Sequence, residues 1–441
     1  MPVIRHTVAM AAMVALVLFG APRAMASQSD SSLPQEVLRT WYQLSLELVR
    51  HTPTYSPPVA SRALAYLGVT AFEAVASGSG ELQSLAGQLN GLSAVPPRET
   101  GKTYDEAVVV QAAMAAAVKN LFSNTGPSGH HAMASLEQKL RGEVSNGQPA
   151  DVTARSEAYG QAVAAHILAW SQDDGGAVVE NMGFPREYTL TSGPAHWVPT
   201  NLIAQQQLPL LPDWGNNRPF AMPKDLACKL PGPIEYSEDK SSAFYKEALE
   251  VYQTKQTITP EQTAIARFWS DDAMLSPTPP GHWVSIVLQI LERDGMPLDK
   301  SVDVLARLGI AQADAFIGCW QVKYQYDLVR PITYVRRVID PKWEPLLNTP
   351  PFPEYPSGHS TQSAAAAETL TAALGDNFAF EDATRHGDGL KPRSFASFRA
   401  AADEAGISRL YGGIHFRAAI ERGQEQGRCV AAYTNALRTR K

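Results

Sequence analysis

The feature that most constrains this chain is a 3.6-residue apolar periodicity repeated along most of its length, with almost no strand-type alternation. Residues 37–49, 58–76, 104–122, 132–144 and 154–170 each carry apolar side chains at three- and four-residue spacing. The pattern resumes at 243–252, 260–274, 282–293 and 302–326, and the spacing predicts further helices starting at Ser357 and Arg399 and a last one over 416–437. Between the two series, Pro185, Pro194, Pro199, Pro209, Pro212, Pro219, Pro223, Pro231 and Pro233 break any long element, while Trp197 and Trp214 add aromatic anchors. A connection this long is either a boundary between substructures or a cover for a functional site. The expected architecture is all-α: an N-terminal helical bundle at 27–172, a Pro-rich connection at 173–238, and a C-terminal helical domain at 239–441.

The first 26 residues read as an export leader. Arg5 supplies a positive start, residues 7–20 are almost wholly apolar, and Ala24-Met25-Ala26 forms a small-x-small cleavage pattern before Ser27. That apolar run is shorter than the ~20 residues a membrane span needs, and no later segment is expected to be both long and uncharged enough to span. The expectation is a periplasmic or secreted protein. Its net charge of −6 excludes the basic field that nucleic acid or anionic lipid would require. An anion site must therefore be a local cluster of cations. Cys228, Cys319 and Cys429 are too few for a disulfide scaffold and match no zinc spacing; one pair can form, and the sequence does not say which. Nothing in the sequence opposes a homodimer.

Three patches carry chemistry. In Lys323-Tyr-Gln-Tyr-Asp327-Leu-Val-Arg330-Pro331 the two cations lie seven positions apart, which predicts one shared helix face. The alternative there is a surface ion-pair ladder through Asp327. In Pro351-Phe352-Pro353-Glu354-Tyr355-Pro356-Ser357-Gly358-His359-Ser360 a rigid turn leads into a helix that Ser357 or Ser360 can cap. Free amides at such a start attract an anion; Gly358 permits close approach, and His359 brings a group expected to titrate near neutrality. A plain capped helix is the competing reading, since Pro127-Ser128-Gly129-His130 repeats the tetrapeptide without cations in step with it. In Ser408-Arg409-Leu-Tyr-Gly412-Gly413-Ile-His415 the glycines end a helix and can turn Arg409 and His415 toward one point.

Taken in order, Lys-x6-Arg-Pro, Pro-Ser-Gly-His and Ser-Arg-x5-His resemble the signature of the vanadium haloperoxidase and type 2 phosphatidic acid phosphatase superfamily. The resemblance implies an oxyanion cradle of Lys323, Arg330, Ser357, Gly358 and Arg409, with Lys323 and the arginines neutralising charge. It implies His415 as the axial vanadium ligand, or as the phosphorylated nucleophile of a phosphatase, and His359 as general acid and base. Trp320 and Phe352 fall where related chloroperoxidases build an apolar halide pocket. The segment Phe268-Trp269-Ser-Asp271-Asp272 resembles a helix that supplies a carboxylate to the cations; Asp271 fits that place better than Asp272, although the alignment admits both. Pro57-Pro58-Val-Ala-Ser-Arg-Ala-Leu-Ala and Ala71-Phe-Glu-Ala-Val resemble the first helices of bacterial haloperoxidase-like proteins. One departure stands out: Ala419 occupies the place where the superfamily often has an Asp that orients the axial histidine, leaving Glu421, Glu425 or a backbone carbonyl as substitutes. The implied cofactor is vanadate, and the implied reaction is oxidation of halide by hydrogen peroxide. The alternatives are a secreted acid phosphatase acting on a phosphate ester through phospho-His415, and a non-catalytic oxyanion-binding protein.

Overall fold

The computed structural model describes residues 32–177, 183–185, 187–200, 208–224 and 228–441, so the leader at 1–26 lies outside the described residues. Five helices form the N-terminal half: α1 (Leu33–Arg50), α2 (Pro57–Ala76), α3 (Glu106–Leu121), α4 (Pro127–Ser145) and α5 (Ala150–Ser171). Eight follow the connection: α6 (Ala243–Gln256), α7 (Pro260–Phe268), α8 (Thr278–Arg293), α9 (Leu298–Tyr326), α10 (Pro331–Val338), α11 (Gly358–Leu374), α12 (Phe398–Tyr411) and α13 (Arg417–Asn435). Local chemistry sets many of the starts. Pro stands at the first turn of α1, α2, α4, α7, α8 and α10, where its missing N–H costs nothing. Asp105, Ser242, Ser357 and Ser397 cap their helices through the side chain, and Thr259 with Gln262 forms a capping box on α7.

The two halves share one apolar cluster that runs from Val37 and Trp41 through Phe72 and Leu305 to Trp320 and Phe398. Its axis is the pair α2 and α9. A Cβ on Gly309 would sit 2.8 Å from the Ala65 Cα, so glycine is required for the backbones to approach this closely. A second close approach joins α11 to α13, where a Cβ on Gly427 would collide with the Thr361 carbonyl. Contrary to expectation, α2 is long and apolar enough to cross a membrane, with a mean hydropathy of 1.3. Nearly all of it is buried against the rest of the protein, as a core helix must be.

The described parts of the connection pack onto both halves: Phe220 sits against Tyr66 and Trp170, and Asn90 donates to the carbonyls of Pro219 and Met222. Asp314 on α9 accepts hydrogen bonds from the amides of Phe220, Ala221 and Met222, and the Leu210 carbonyl accepts from Trp320 Nε1 and Tyr324 Oη. Cys228 is disulfide-bonded to Cys429 on α13, while Cys319 is a buried free thiol.

Four expectations are corrected. The helix expected over 260–274 stops at Phe268, and the following loop holds Asp271 and Met274 at φ 49° and 68°. Lys323 and Arg330 do not share a helix: α9 ends at Tyr326, Asp327 turns left-handed at φ 49°, and Pro331 forces Arg330 into an extended conformation that starts α10. The ladder through Asp327 therefore does not form. A short hairpin pairs β1 (Phe380–Asp382) with β2 (Arg393–Phe395), antiparallel with Phe380 opposite Phe395. In the repeated tetrapeptide, Gly126 rather than Ser128 occupies the cap position, and His130 is exposed on α4.

Candidate active site

Three cations are buried near one another, and one of them, Arg409, lines a cavity. Lys323, from the last turn of α9, donates through Nζ to the carbonyls of Pro353 (2.9 Å), Glu354 (3.1 Å) and Pro356 (2.5 Å). Burial, reinforced by Arg330, pulls its ammonium down to about 7. Arg330 donates from Nε to Phe352 O (2.9 Å) and from Nη1 to Ile414 O (2.8 Å) and His415 Nε2 (3.1 Å), while its buried Nη2 has no partner. Arg409 on α12 donates from Nη1 to Trp269 O, and its buried Nε has no partner. Burial lowers Arg330 to about 9 and Arg409 to about 10, so both stay charged at neutral pH. Unused N–H groups on buried guanidinium ions cost free energy unless a ligand accepts them.

The turn before α11 brings the polar half of the cradle. Ser357 Oγ accepts from Ser360 N (3.3 Å) and Ser360 Oγ (2.9 Å), leaving its own proton to donate elsewhere. A Cβ on Gly358 would meet Trp320, Cys319 and Phe316 at 3.6 to 3.9 Å. Such a side chain would fit without strain, but it would occupy the cavity that Gly358 and Trp320 both line. His359 also lines that cavity, with an unpartnered Nε2 lying 3.8 Å from Asp271 Oδ2. Its imidazolium is disfavoured by burial and by Arg409, holding it well below the ordinary histidine value rather than near neutrality as expected. A bound anion would offset the cationic part of that shift.

His415 follows the positive-φ Gly413 and faces Arg330 through Nε2. Its Nδ1 donates to the fully buried Glu354 carboxylate at 2.8 Å, and the Phe416 amide donates to the same oxygen at 2.9 Å. Burial and then Arg330 and Lys323 keep the ring neutral, and these partners require the proton on Nδ1 and the lone pair on Nε2. Glu354 thus does what an Asp at position 419 would do, and none of the expected substitutes is used. Ala419 is buried, its carbonyl accepts from Ser357 N, and Glu425 pairs with Arg422. The signal was in the sequence, as the one acid inside the Pro-rich turn.

Asp271 sits on the loop after α7 and not on a helix. It accepts from His282 Nδ1 (3.0 Å) and Arg385 Nη1 (2.7 Å). Burial alone would raise its carboxyl, but His282, Arg385 and His359 hold it below the usual range. Of the two acids, Asp272 acts more strongly on Arg409, whereas Asp271 braces the His359 side. His282 was not anticipated. It lies fully buried between Asp271 and Asp382, its Nε2 2.9 Å from Asp382 Oδ2, and Trp269 tilts over its ring. Trp320 and Phe352 pack at 4.9 Å between centroids, with Lys323 Nζ 5.1 Å and Arg330 Cζ 5.0 Å from the Phe352 ring. Among the described residues no group of three His, Cys, Asp or Glu side chains could hold a cation. The donor set suits an oxyanion.

Burial would lower the His282 imidazolium, but Asp271 and Asp382 raise it to about 10. A folded value above the unfolded ~6.5 stabilises the protein fully below pH ~6.5 and loses that contribution as pH climbs toward 10. His282→Gln should therefore destabilise by roughly 3 kcal/mol or more at pH 6. In urea titrations the gap from wild type should narrow steadily between pH 7 and pH 10; a gap that stays constant would contradict a charged His282.

The family model described as the VCPO second helical-bundle domain matches residues 303–440. The vanadium chloroperoxidase of Curvularia inaequalis is 33% identical over 137 residues, which is 25% of this chain and 22% of that protein. The chain thus spans about a fifth of that curated relative's length. A solved structure described as the first bacterial vanadium-dependent iodoperoxidase superposes with a TM-score of 0.82 at 39% identity, covering 92% of this chain and 97% of that one. A holo-type bacterial vanadium-dependent chloroperoxidase shares the fold, with a TM-score of 0.70 at 15% identity over 93% and 95% of the two chains. Gly358, His359, Arg409 and His415 line one cavity, with Arg330 bonded to His415 and Lys323 beneath the turn, and the similarity over nearly the whole length of the iodoperoxidase places this chain in the vanadium haloperoxidase family.

Proposed function

We propose that this protein is a vanadate-dependent haloperoxidase that oxidises halide with hydrogen peroxide. The observation that carries the reading is the set of unsatisfied buried donors, Arg330 Nη2 and Arg409 Nε, beside a neutral His415 whose Nε2 lone pair is held outward by Glu354. These groups, with the Ser357 hydroxyl and the Gly358 amide, would hold the oxyanion, and Lys323, its N–H groups taken by carbonyls, would add positive charge. His415 Nε2, which accepts from Arg330 Nη1, would be the protein ligand to vanadium once that bond is released. When bound, vanadate supplies a Lewis-acidic centre that activates hydrogen peroxide without changing oxidation state.

His359, kept neutral, can take a proton at Nε2 from the incoming peroxide and return it to a departing hydroxide, which leaves as water. Asp271, locked by His282 and Arg385 at 3.8 Å from that nitrogen, favours its transient charge. Trp320 and Phe352 make the neighbouring wall apolar, which favours a weakly hydrated halide over bulk water. The Cys228–Cys429 disulfide supports a periplasmic or secreted location, where such a bond persists.

A paired assay tests the reading. Purified protein with orthovanadate should brominate or iodinate a phenol when given peroxide. Aryl phosphate hydrolysis that vanadate inhibits, with no halogenation, would assign the protein to phosphatase chemistry through His415 instead. His359→Ala should lower halogenation by about 10²- to 10⁴-fold while vanadate still binds. Glu354→Gln should weaken vanadate binding by roughly 10- to 100-fold in an equilibrium titration, since the carboxylate raises the basicity of His415 and fixes its tautomer. An unchanged affinity would remove Glu354 from that role.

A further inference from the structure

The cavity above the cationic cluster encloses about 380 Å³, an order of magnitude more than the ~30 Å³ share of a water molecule, so neither halide nor peroxide explains its size. A volume in this range is that of a small-molecule site. Its outer wall is assembled from three separate stretches of chain: Pro53 and Pro57 beside α2, Phe184 and Leu210 from the connection, and Met274 and Leu275 from the loop after α7. The last two are exposed at 46% and 67%, which is unusual for large apolar side chains unless they serve a surface or a ligand. Met274 is moreover held at φ 68°, a conformation that costs about 1–3 kcal/mol for a non-glycine residue and so needs a reason.

Two further groups narrow the ligand. Ser56 Oγ and Thr349 Oγ1 belong to residues lining this cavity, are buried, and have no hydrogen-bond partner. Ser56 precedes α2 without capping it through the side chain, so its hydroxyl serves no structural bond there. An apolar cavity with a few unsatisfied hydroxyls fits an apolar molecule that carries a hydroxyl of its own.

We propose that this cavity binds a small phenol-type organic molecule and holds it against the site as the halogen acceptor. The inference rests on the haloperoxidase reading, whose hypohalous product supplies the oxidant. In the transfer, a ring electron pair forms the carbon–halogen bond as the oxygen–halogen bond breaks. The ring proton then leaves with the released hydroxide as water. Halogenation is thereby directed to a bound acceptor instead of to whatever the free oxidant meets in solution.

The test uses 4-propylphenol and 3-(4-hydroxyphenyl)propanoate, whose para-alkyl rings react alike while only the second carries a charge. In competition, the vanadate-loaded protein should favour 4-propylphenol several-fold beyond the ratio given by reagent hypohalite, and Leu275→Asp should return the ratio to the reagent value. Triiodide formation without any phenol should be the same in both proteins. A wild-type ratio equal to that of the reagent, with triiodide formation intact, overturns the acceptor site and leaves the haloperoxidase reading standing. Absence of triiodide overturns that reading and the transfer step with it. Calorimetry with 4-propylphenol on the vanadate-free protein then decides the binding site separately. Wild type should bind, Thr349→Val should bind about 2- to 10-fold more weakly, and failure of wild type to bind would dismiss the cavity as a ligand site.

Discussion

Everything at this site depends on three buried cations that share too little negative charge. Lys323, Arg330 and Arg409 are taken out of water in a chain whose net charge is −6, so their clustering is not the by-product of a basic surface. Of the carboxylates nearby, Glu354 is committed through Oε1 to His415 and Phe416, Asp271 is committed to His282 and Arg385, and Asp272 acts on Arg409 by charge. Backbone carbonyls satisfy Lys323 completely but each arginine only in part. A site in this state is completed by an anion with several oxygens, and the neutral histidines on its walls have a related origin: burial first, and then the neighbouring cations, drive off the imidazole proton.

The scaffold exists to hold those charges in place. Lys323 and Trp320 come from the end of α9, and α9 is locked along α2 through the Gly309 contact, so the N-terminal half braces the catalytic half. The turn carrying Glu354, Ser357 and Gly358 is fixed from below, where Lys323 gathers its carbonyls and Ser357 N reaches Ala419 O. The same turn therefore binds the ammonium with its carbonyls, binds His415 with its one carboxylate, and presents its helix start to the cavity. The connection bridges the two halves and contributes Leu210 and Phe184 to the lining of the cavity.

Much of this was legible in the sequence because it rests on local rules. Apolar periodicity located twelve of the thirteen α-helices among the described residues, and motif order brought Lys323, Arg330, Ser357, Gly358, His359, Arg409 and His415 together. What escaped depended on long-range or very short features. The break at Asp327 needed weight on the rule that a residue before proline leaves the helix; counting seven positions along an unbroken helix overlooked Pro331. Glu354 replaces a carboxylate that sequence alignment seeks 65 positions later at Ala419, and only folding brings both positions to one ring. His282 reads as one more polar residue in an amphipathic helix until Asp271, 11 positions earlier, and Asp382, 100 positions later, close on its two nitrogens. Strands of three residues are too short to show alternation.

The most direct measurement is a crystal structure of the protein soaked with orthovanadate, read through the anomalous signal of vanadium. A peak within covalent bonding distance of His415 Nε2, with oxygens on Arg330, Arg409, Ser357 and the Gly358 amide, is the predicted result. Vanadium bound elsewhere, or no ordered vanadium at concentrations that saturate related proteins, would contradict the oxyanion cradle on which the account stands.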